Sequence, residues 1–187
     1  MTNLPRRTFV AGIATGAGAF WLGIDWHTIR RIGEKAAAVD SATGYRVLSQ
    51  PDAEVLDAIA SQIVPTDDTP GALEARVVAF MDQSLATFAA EQRPIFTRGL
   101  ATLGTQVRAR FPNAASFASL DGSTQVEMMY VLERLDPEFF ETVRVATIVG
   151  MFADPSYGGN FDKSGWKVIG FEDQFYWQAP FGDYDRE

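Results

Sequence analysis

The stretch DPEFFETVRVATIVGMF, residues 136–152, decides the fold that this sequence predicts. Asp136 is a typical helix N-cap, Pro137 suits the first helical position, and an acidic residue follows in the first turn. Apolar side chains then recur at helical spacing from Phe139 to Met151. These signals predict one helix over most of the stretch, with an apolar face that must be buried against other elements.

The chain before this stretch repeats the same helical pattern. Four further helices are predicted: one that begins after a Ser49 cap and is stopped by Pro65, and three over residues 72–90, 94–111 and 124–134. Leu73 and Tyr130 fall on their apolar stripes. Because no useful alternating run occurs, we predict an all-α fold: a compact bundle of about five helices, a C-terminal glycine- and aromatic-rich loop, and an extended aromatic tail.

The first residues carry an export pattern. Arg6 and Arg7 precede Phe9 and a glycine- and alanine-rich apolar run that ends at residue 24. A paired arginine before a short apolar run indicates the twin-arginine route, which exports folded proteins. The run is too short for a typical spanning helix, and its glycines lack the strand–turn–helix setting of a dinucleotide loop.

The pattern divides the chain into three expected parts. We expect a signal segment over residues 1–38, a helical domain over residues 39–171 and a tail over residues 172–187. The alanines at 36–38 suit a cleavage site. The expected location is the periplasm, and a retained signal or the assembled complex could attach the protein to the membrane.

Composition excludes several function classes. The sequence contains no cysteine, and its only histidine, His27, lies in the expected signal segment. Thiolate catalysis, Ser-His-Asp catalysis and Cys or His metal sites are therefore excluded from the domain that follows. Beyond residue 38 the chain holds 11 basic and 22 acidic residues. Such a charge disfavours nucleic acid and anionic membrane surfaces as partners.

The segment after residue 152 changes character. Gly158 and Gly159 allow positive φ, Asn160 tolerates it, and Trp166 and Phe171 follow within a few residues. This combination fits either a loop that closes the helical core, with Trp166 as its plug, or a docking surface.

Two strings here resemble a known family. VPTDDTPG at residues 64–71, and GMFADPSYGGN at 150–160 followed by GWKVIGF at 165–171, are similar to the gluconate 2-dehydrogenase subunit 3 family. The resemblance covers about two thirds of the chain. It implies a small subunit without a cofactor of its own that escorts a large, FAD-carrying subunit of the glucose–methanol–choline oxidoreductase type. It also allows for a membrane-bound cytochrome c subunit with haem c.

The resemblance and the composition of the tail give a candidate partner interface. The tail is too aromatic for a solvated segment, so we expect it to contact a partner, although folding back onto its own helices stays open. The candidate interface residues are Asp154, Pro155, Tyr157, Gly158, Gly159, Asn160, Trp166, Phe171, Phe175, Tyr176, Trp177 and Phe181. No catalytic, cofactor-binding or metal residue is assigned in this chain.

Two other functions remain open from the residues alone. One is a stand-alone carboxylate enzyme, such as a glycoside hydrolase, using a pair such as Asp154 and Asp162. The other is a cation-binding module that uses these two residues with Asp67 and Asp68, although those two also suit simple turn chemistry. The sugar or polyol substrate of an associated dehydrogenase is not readable from this chain.

Overall fold

The computed structural model describes residues 44–173, and within that range every regular element is helical. The α-helices are α1 (Gln50–Ile63), α2 (Val77–Ala86), α3 (Arg93–Arg110), α4 (Gly122–Leu135), α5 (Pro137–Phe152) and α6 (Ser164–Ile169). Short 3-10 turns lie at Ala90–Gln92, Phe117–Ser119, Pro155–Tyr157 and Phe161–Lys163. The all-α prediction is confirmed. The signal segment and most of the tail lie outside the described residues.

Helix α5, the stretch that decides the fold, is the central element. It packs against α1, α2, α3 and α4, and all residues from 142 to 147 are buried. The Asp136 carboxylate caps it by accepting the backbone N–H of Phe139 at 3.1 Å, as predicted. The same carboxylate binds the Arg98 guanidinium on α3. Burial against four helices explains why most of its sequence is apolar.

Two glycines let helices approach α5 closely. A Cβ on Gly99 of α3 would overlap the Phe139 ring, and a Cβ on Gly150 would lie 2.9 Å from a ring carbon of Phe80 on α2. Each glycine therefore makes room for a buried phenylalanine. Such contacts bury a large aromatic area, although glycine favours a helix less than alanine does.

The second predicted helix was too long at both ends. Residues 72–90 were expected to be helical, but α2 spans only Val77–Ala86. At its start Arg76 adopts a left-handed conformation, with φ 53° and ψ 44°, which a continuous helix cannot contain. At its end Thr87 leaves helical geometry with φ −127° and ψ −101°. Apolar residues do recur at helical spacing from residue 73 onward, but the turn at residues 72–76 prevents the helix from starting before Val77.

Three further expectations are corrected. Leu73 and Tyr130, placed on buried stripes, are 55% and 60% exposed. Leu73 lies in the turn before α2, and Tyr130 points away from the bundle on α4. The segment after residue 160, expected as loop, contains the short helix α6, so the described residues hold the predicted five-helix bundle and one additional short helix. Short apolar runs carry too little periodicity to separate these outcomes.

Candidate functional site

The segment over residues 153–171, which includes α6 and which we call the loop after α5, closes the end of α5. Carbonyl groups in the last turn of a helix lack intrahelical partners. The backbone N–H of Asn160 donates to the Gly150 carbonyl at 2.8 Å, and its side-chain amide donates to the Ala153 carbonyl at 2.9 Å. The indole N–H of Trp166 donates to the Phe152 carbonyl at 2.8 Å. The loop thus supplies the donors that the helix end needs.

Asn160 holds this loop together from its centre. The residue is fully buried, and its side-chain oxygen accepts the backbone N–H of Gly165 at 2.9 Å. It adopts the left-handed conformation with φ 47°, which asparagine tolerates better than most residues. A Cβ at Gly159 or Gly165 would overlap backbone atoms of α5. The GGN and GW sequences in the family-like string therefore allow this loop to pack directly against the backbone of α5.

The other family-like string, residues 64–71, folds into a tight loop between α1 and α2. Asp67 accepts the backbone N–H and the hydroxyl of Thr69, both at 2.9 Å. Glu74 accepts the Gly71 backbone N–H at 2.9 Å and the Thr66 hydroxyl at 2.7 Å. The Glu74 pKa is lowered, chiefly by the Thr66 hydrogen bond. These bonds fix the loop between α1 and α2 internally.

An open groove of about 880 Å³ lies between these two loops. Its walls are formed by residues 44–46, α1, the turn before α2 with α2 itself, and the loop after α5. The backbone N–H of Phe161 donates to the Ala75 carbonyl at 3.1 Å, which joins the two loops at one side of the groove. Phe161 and Leu73 are both exposed at this groove.

Asp82 fastens the chain that leads into α1. This carboxylate on α2 is 5% exposed, and it accepts the backbone N–H groups of Arg46, Val47 and Leu48 at 2.8, 2.8 and 2.9 Å. Three charge-assisted hydrogen bonds satisfy this buried carboxylate, which has no cationic partner among residues 44–173. The lead segment therefore forms a fixed wall of the groove.

Charge in the groove is mixed. Burial, and next the charge of Glu54, raise the pKa of Asp57 on α1. Burial is also the main cause that raises the pKa of the Tyr45 hydroxyl, followed by the charges of Asp57 and Asp82. The Asp162 pKa is lowered by its 2.8 Å hydrogen bond to Lys167.

The residues proposed from sequence divide into two groups. Gly159, Asn160 and Tyr157 are buried, and Trp166 is half-buried. These residues build the loop. Asp154, Pro155, Gly158 and Phe171 are exposed or half-buried, so they are open to contact from outside. The signal residues Arg6, Arg7 and Phe9, and the tail residues Phe175, Tyr176, Trp177 and Phe181, lie outside the described residues.

Most of the carboxylates proposed for the two alternative functions make local structural hydrogen bonds instead. Asp154 accepts the Ser156 backbone N–H at 2.9 Å within its own turn. A glycosidase acid needs a raised pKa, whereas that of Asp162 is lowered. In residues 44–173 no group of three or more acidic, histidine or cysteine side chains could hold a metal ion. These observations give neither alternative any geometric support.

Sequence reasoning missed Leu73, Arg76, Phe161 and Asp57 as groove residues. Leu73 was assigned to the core because it matched helical spacing. Nothing local predicts the left-handed Arg76. The sequence contained one signal for the groove: Phe161 is a large apolar residue directly after GGN. A large apolar side chain in such a turn has few neighbouring helical residues to pack against, which favours an exposed position.

Fold and site together define a small all-α domain whose central helix is closed by an asparagine-centred loop beside an open groove. The family model described as "Gluconate 2-dehydrogenase subunit 3" matches residues 50–173. This range begins at the first residue of α1 and ends at the last described residue, about two thirds of the chain. The chain belongs to the gluconate 2-dehydrogenase subunit 3 family, a family of dehydrogenase subunits.

Neither curated proteins nor solved structures contain a match to this chain. No helix within residues 44–173 combines the length and the apolar character needed to cross a membrane.

Proposed function

We propose that this chain is the non-catalytic small subunit of an exported, FAD-dependent sugar or polyol dehydrogenase. In this role it binds and stabilises a large subunit of the glucose–methanol–choline oxidoreductase type, which carries the FAD. The twin-arginine signal at Arg6 and Arg7 then exports the two subunits together to the periplasm. A membrane-bound cytochrome c subunit with haem c is a third proposed partner.

The family match over residues 50–173 carries this proposal. The domain beyond residue 38 also lacks histidine and cysteine, the side chains most often used as bases and nucleophiles. Oxidation of an alcohol by a flavin needs a base near the hydroxyl group, and the proposal assigns that base to the large subunit. The exposed loop and groove offer a surface for the partner, which the tail residues Phe175, Tyr176, Trp177 and Phe181 would extend.

Co-expression with the flavoprotein subunit tests the binding and export roles separately. The flavoprotein is produced with this chain, without it, or with a variant carrying Arg6→Lys and Arg7→Lys. The readouts are flavin absorbance and dye-linked sugar or polyol oxidation in the periplasmic and cytoplasmic fractions. We expect periplasmic activity only with the unchanged chain, and a folded complex held in the cytoplasm with the variant.

A second arginine pair supplies the matched control. Arg30→Lys with Arg31→Lys changes the same chemistry after the apolar run, and export should persist. Equal periplasmic flavoprotein with and without this chain would refute the escort role. Sugar or polyol turnover by the purified chain alone, with or without FAD, would refute the non-catalytic role.

A further inference from the structure

Arg76 has an unusual backbone and an unusual neighbour. It is an exposed, non-glycine residue at φ 53°, a conformation that costs a side-chain-bearing residue free energy. Its guanidinium carbon lies 3.5 Å from the centroid of the Phe161 ring. Phe161 is 46% exposed and Leu73 is 55% exposed, and all three residues line the groove. We name Leu73, Arg76 and Phe161 the anchor patch.

The Arg76 guanidinium keeps its hydrogen-bonding capacity. A guanidinium that stacks on a ring leaves its in-plane N–H groups free to donate. Among the described residues, the guanidinium of Arg76 has no hydrogen bond or ion pair, and neither has the guanidinium of Arg46 on the same groove. The groove carboxylates of Asp82 and Asp162 are already bonded to backbone amides and to Lys167. These exposed donors are therefore available to a carboxylate from outside the described domain.

The negative charges that line the groove favour a peptide segment over a small free anion as the bound partner. The carboxylate of Asp57 also lacks a hydrogen bond or ion pair within residues 44–173, and its charge is disfavoured by burial and by Glu54. A small polyanion would be repelled by these carboxylates. A segment with one carboxylate beside apolar side chains can meet Arg76 and the exposed Phe161 and Leu73 together.

We propose that the anchor patch is the site where this subunit holds its flavin-carrying partner. The partner segment presents a carboxylate to Arg76 and an apolar side chain to Phe161 and Leu73. Arginine and exposed aromatic residues are the side chains most enriched at the energetic centres of interfaces, and guanidinium–carboxylate pairs add bidentate geometry. This inference rests on the proposed function, because it names the contact through which the flavoprotein is bound.

Binding measurements on the full chain with the purified flavoprotein subunit test the patch. Arg76→Glu should weaken the affinity at least about 100-fold and Phe161→Ala about tenfold, within the range of interface hot spots. Arg76→Gly suits the left-handed backbone, so it should keep the fold while weakening binding. One control is Arg110→Glu, at an exposed arginine on α3 whose side chain has no ion pair within the described range. The other is Tyr130→Ala, at an exposed aromatic residue on α4. Both should change the affinity less than about twofold.

Zero-length coupling identifies the occupant. In an Arg76→Lys variant, a carbodiimide activates a neighbouring carboxyl group, the amine at position 76 attacks it, and an amide forms as the urea leaves. We expect this amide to join position 76 to an Asp or Glu of the flavoprotein. The unchanged chain and an Arg110→Lys variant, treated identically, identify background products from other lysines.

Each outcome separates the two proposals. If the unchanged chain binds no flavoprotein, the proposed function fails. If the complex forms but Arg76→Glu binds normally, or no amide forms at position 76, only the anchor patch is overturned. An amide from position 76 to residues 174–187 of this chain, or to a second copy, would also overturn it.

Discussion

The backbone N–H of Asn160 donates to the carbonyl of Gly150 at 2.8 Å, so the loop after α5 caps the C-terminal end of that helix. The side chain then extends the contact to the Ala153 carbonyl and the Gly165 N–H. One fully buried residue thus connects the central helix to the wall of the groove. Hydrogen bonds to the buried central helix therefore hold the surface that we propose for the partner in place.

Asn160→Gly tests the loop. Glycine accepts the left-handed backbone but removes both side-chain hydrogen bonds, and leaving two buried groups unpaired should cost about 2–4 kcal/mol of unfolding free energy. Urea denaturation followed by circular dichroism measures the loss. Hydrogen exchange at Gly165 should accelerate more than exchange within α4. An unchanged midpoint would show that the side chain does not hold the loop.

Gly99→Ala should destabilise the bundle strongly, because the added Cβ would overlap the buried Phe139 ring. Overpacking of this kind costs about 1–3 kcal/mol or more. Gly104→Ala on the same helix is the matched control: its Cβ would meet only the flexible end of Arg108, at 3.3 Å. That change should leave stability unaltered or raise it by up to about 1 kcal/mol. Thermal melts of both variants decide the comparison.

Asp136→Asn should weaken the fold at neutral pH and alter its acid response. The Arg98 hydrogen bond is the main cause that lowers the Asp136 pKa. Because the folded-state pKa lies below the unfolded value of about 3.9, the ionised group stabilises the fold above that pH, and its contribution disappears as the pH falls through the folded pKa.

The Asn variant should therefore lose about 2 kcal/mol at pH 7 and much less at the acid end. Urea midpoints from pH 7 down to the acid limit measure this. Glu138→Gln removes the second ion pair of Arg98, which is exposed, and should cost less than about 1 kcal/mol. Parallel curves for Asp136→Asn and the unchanged protein at all pH values would contradict the assignment.

Asp82→Asn should release the lead segment from α2. The Arg46 N–H donates to one carboxylate oxygen, and the Val47 and Leu48 N–H groups donate to the other. In either orientation the amide nitrogen of the variant would face at least one N–H group, where only an acceptor fits. We expect faster hydrogen exchange at these three amides and earlier cleavage by trypsin after Arg46. Asp67→Asn, a change in an exposed turn, is the control. Unchanged exchange would mean that other contacts hold the segment.

Local signals predicted most of the helices. The caps at Ser49 and Asp136 form as expected, and α5 spans the predicted stretch. Caps, prolines and helical spacing act within a few residues, so a single segment contains the information. The errors fall where the backbone leaves helical geometry for a distant partner, as at Arg76, whose side chain lies over Phe161. The residues of the loop after α5 were singled out from sequence, but their division into buried and exposed was not.

The sequence by itself determined the all-helical architecture, the family, and the absence of histidine and cysteine from the domain beyond residue 38, because composition and short-range spacing carry that information. Only the tertiary structure decided that Asn160 is a buried connector, that Asp82 holds residues 46–48, and that Leu73, Arg76 and Phe161 meet at one groove. The physical reason is that each of these contacts depends on how separate elements pack. The amides that Asp82 binds lie 34 to 36 positions away, and even the nearer partners of Asn160 lie in or next to other helices. No local propensity encodes which backbone group a side chain will reach.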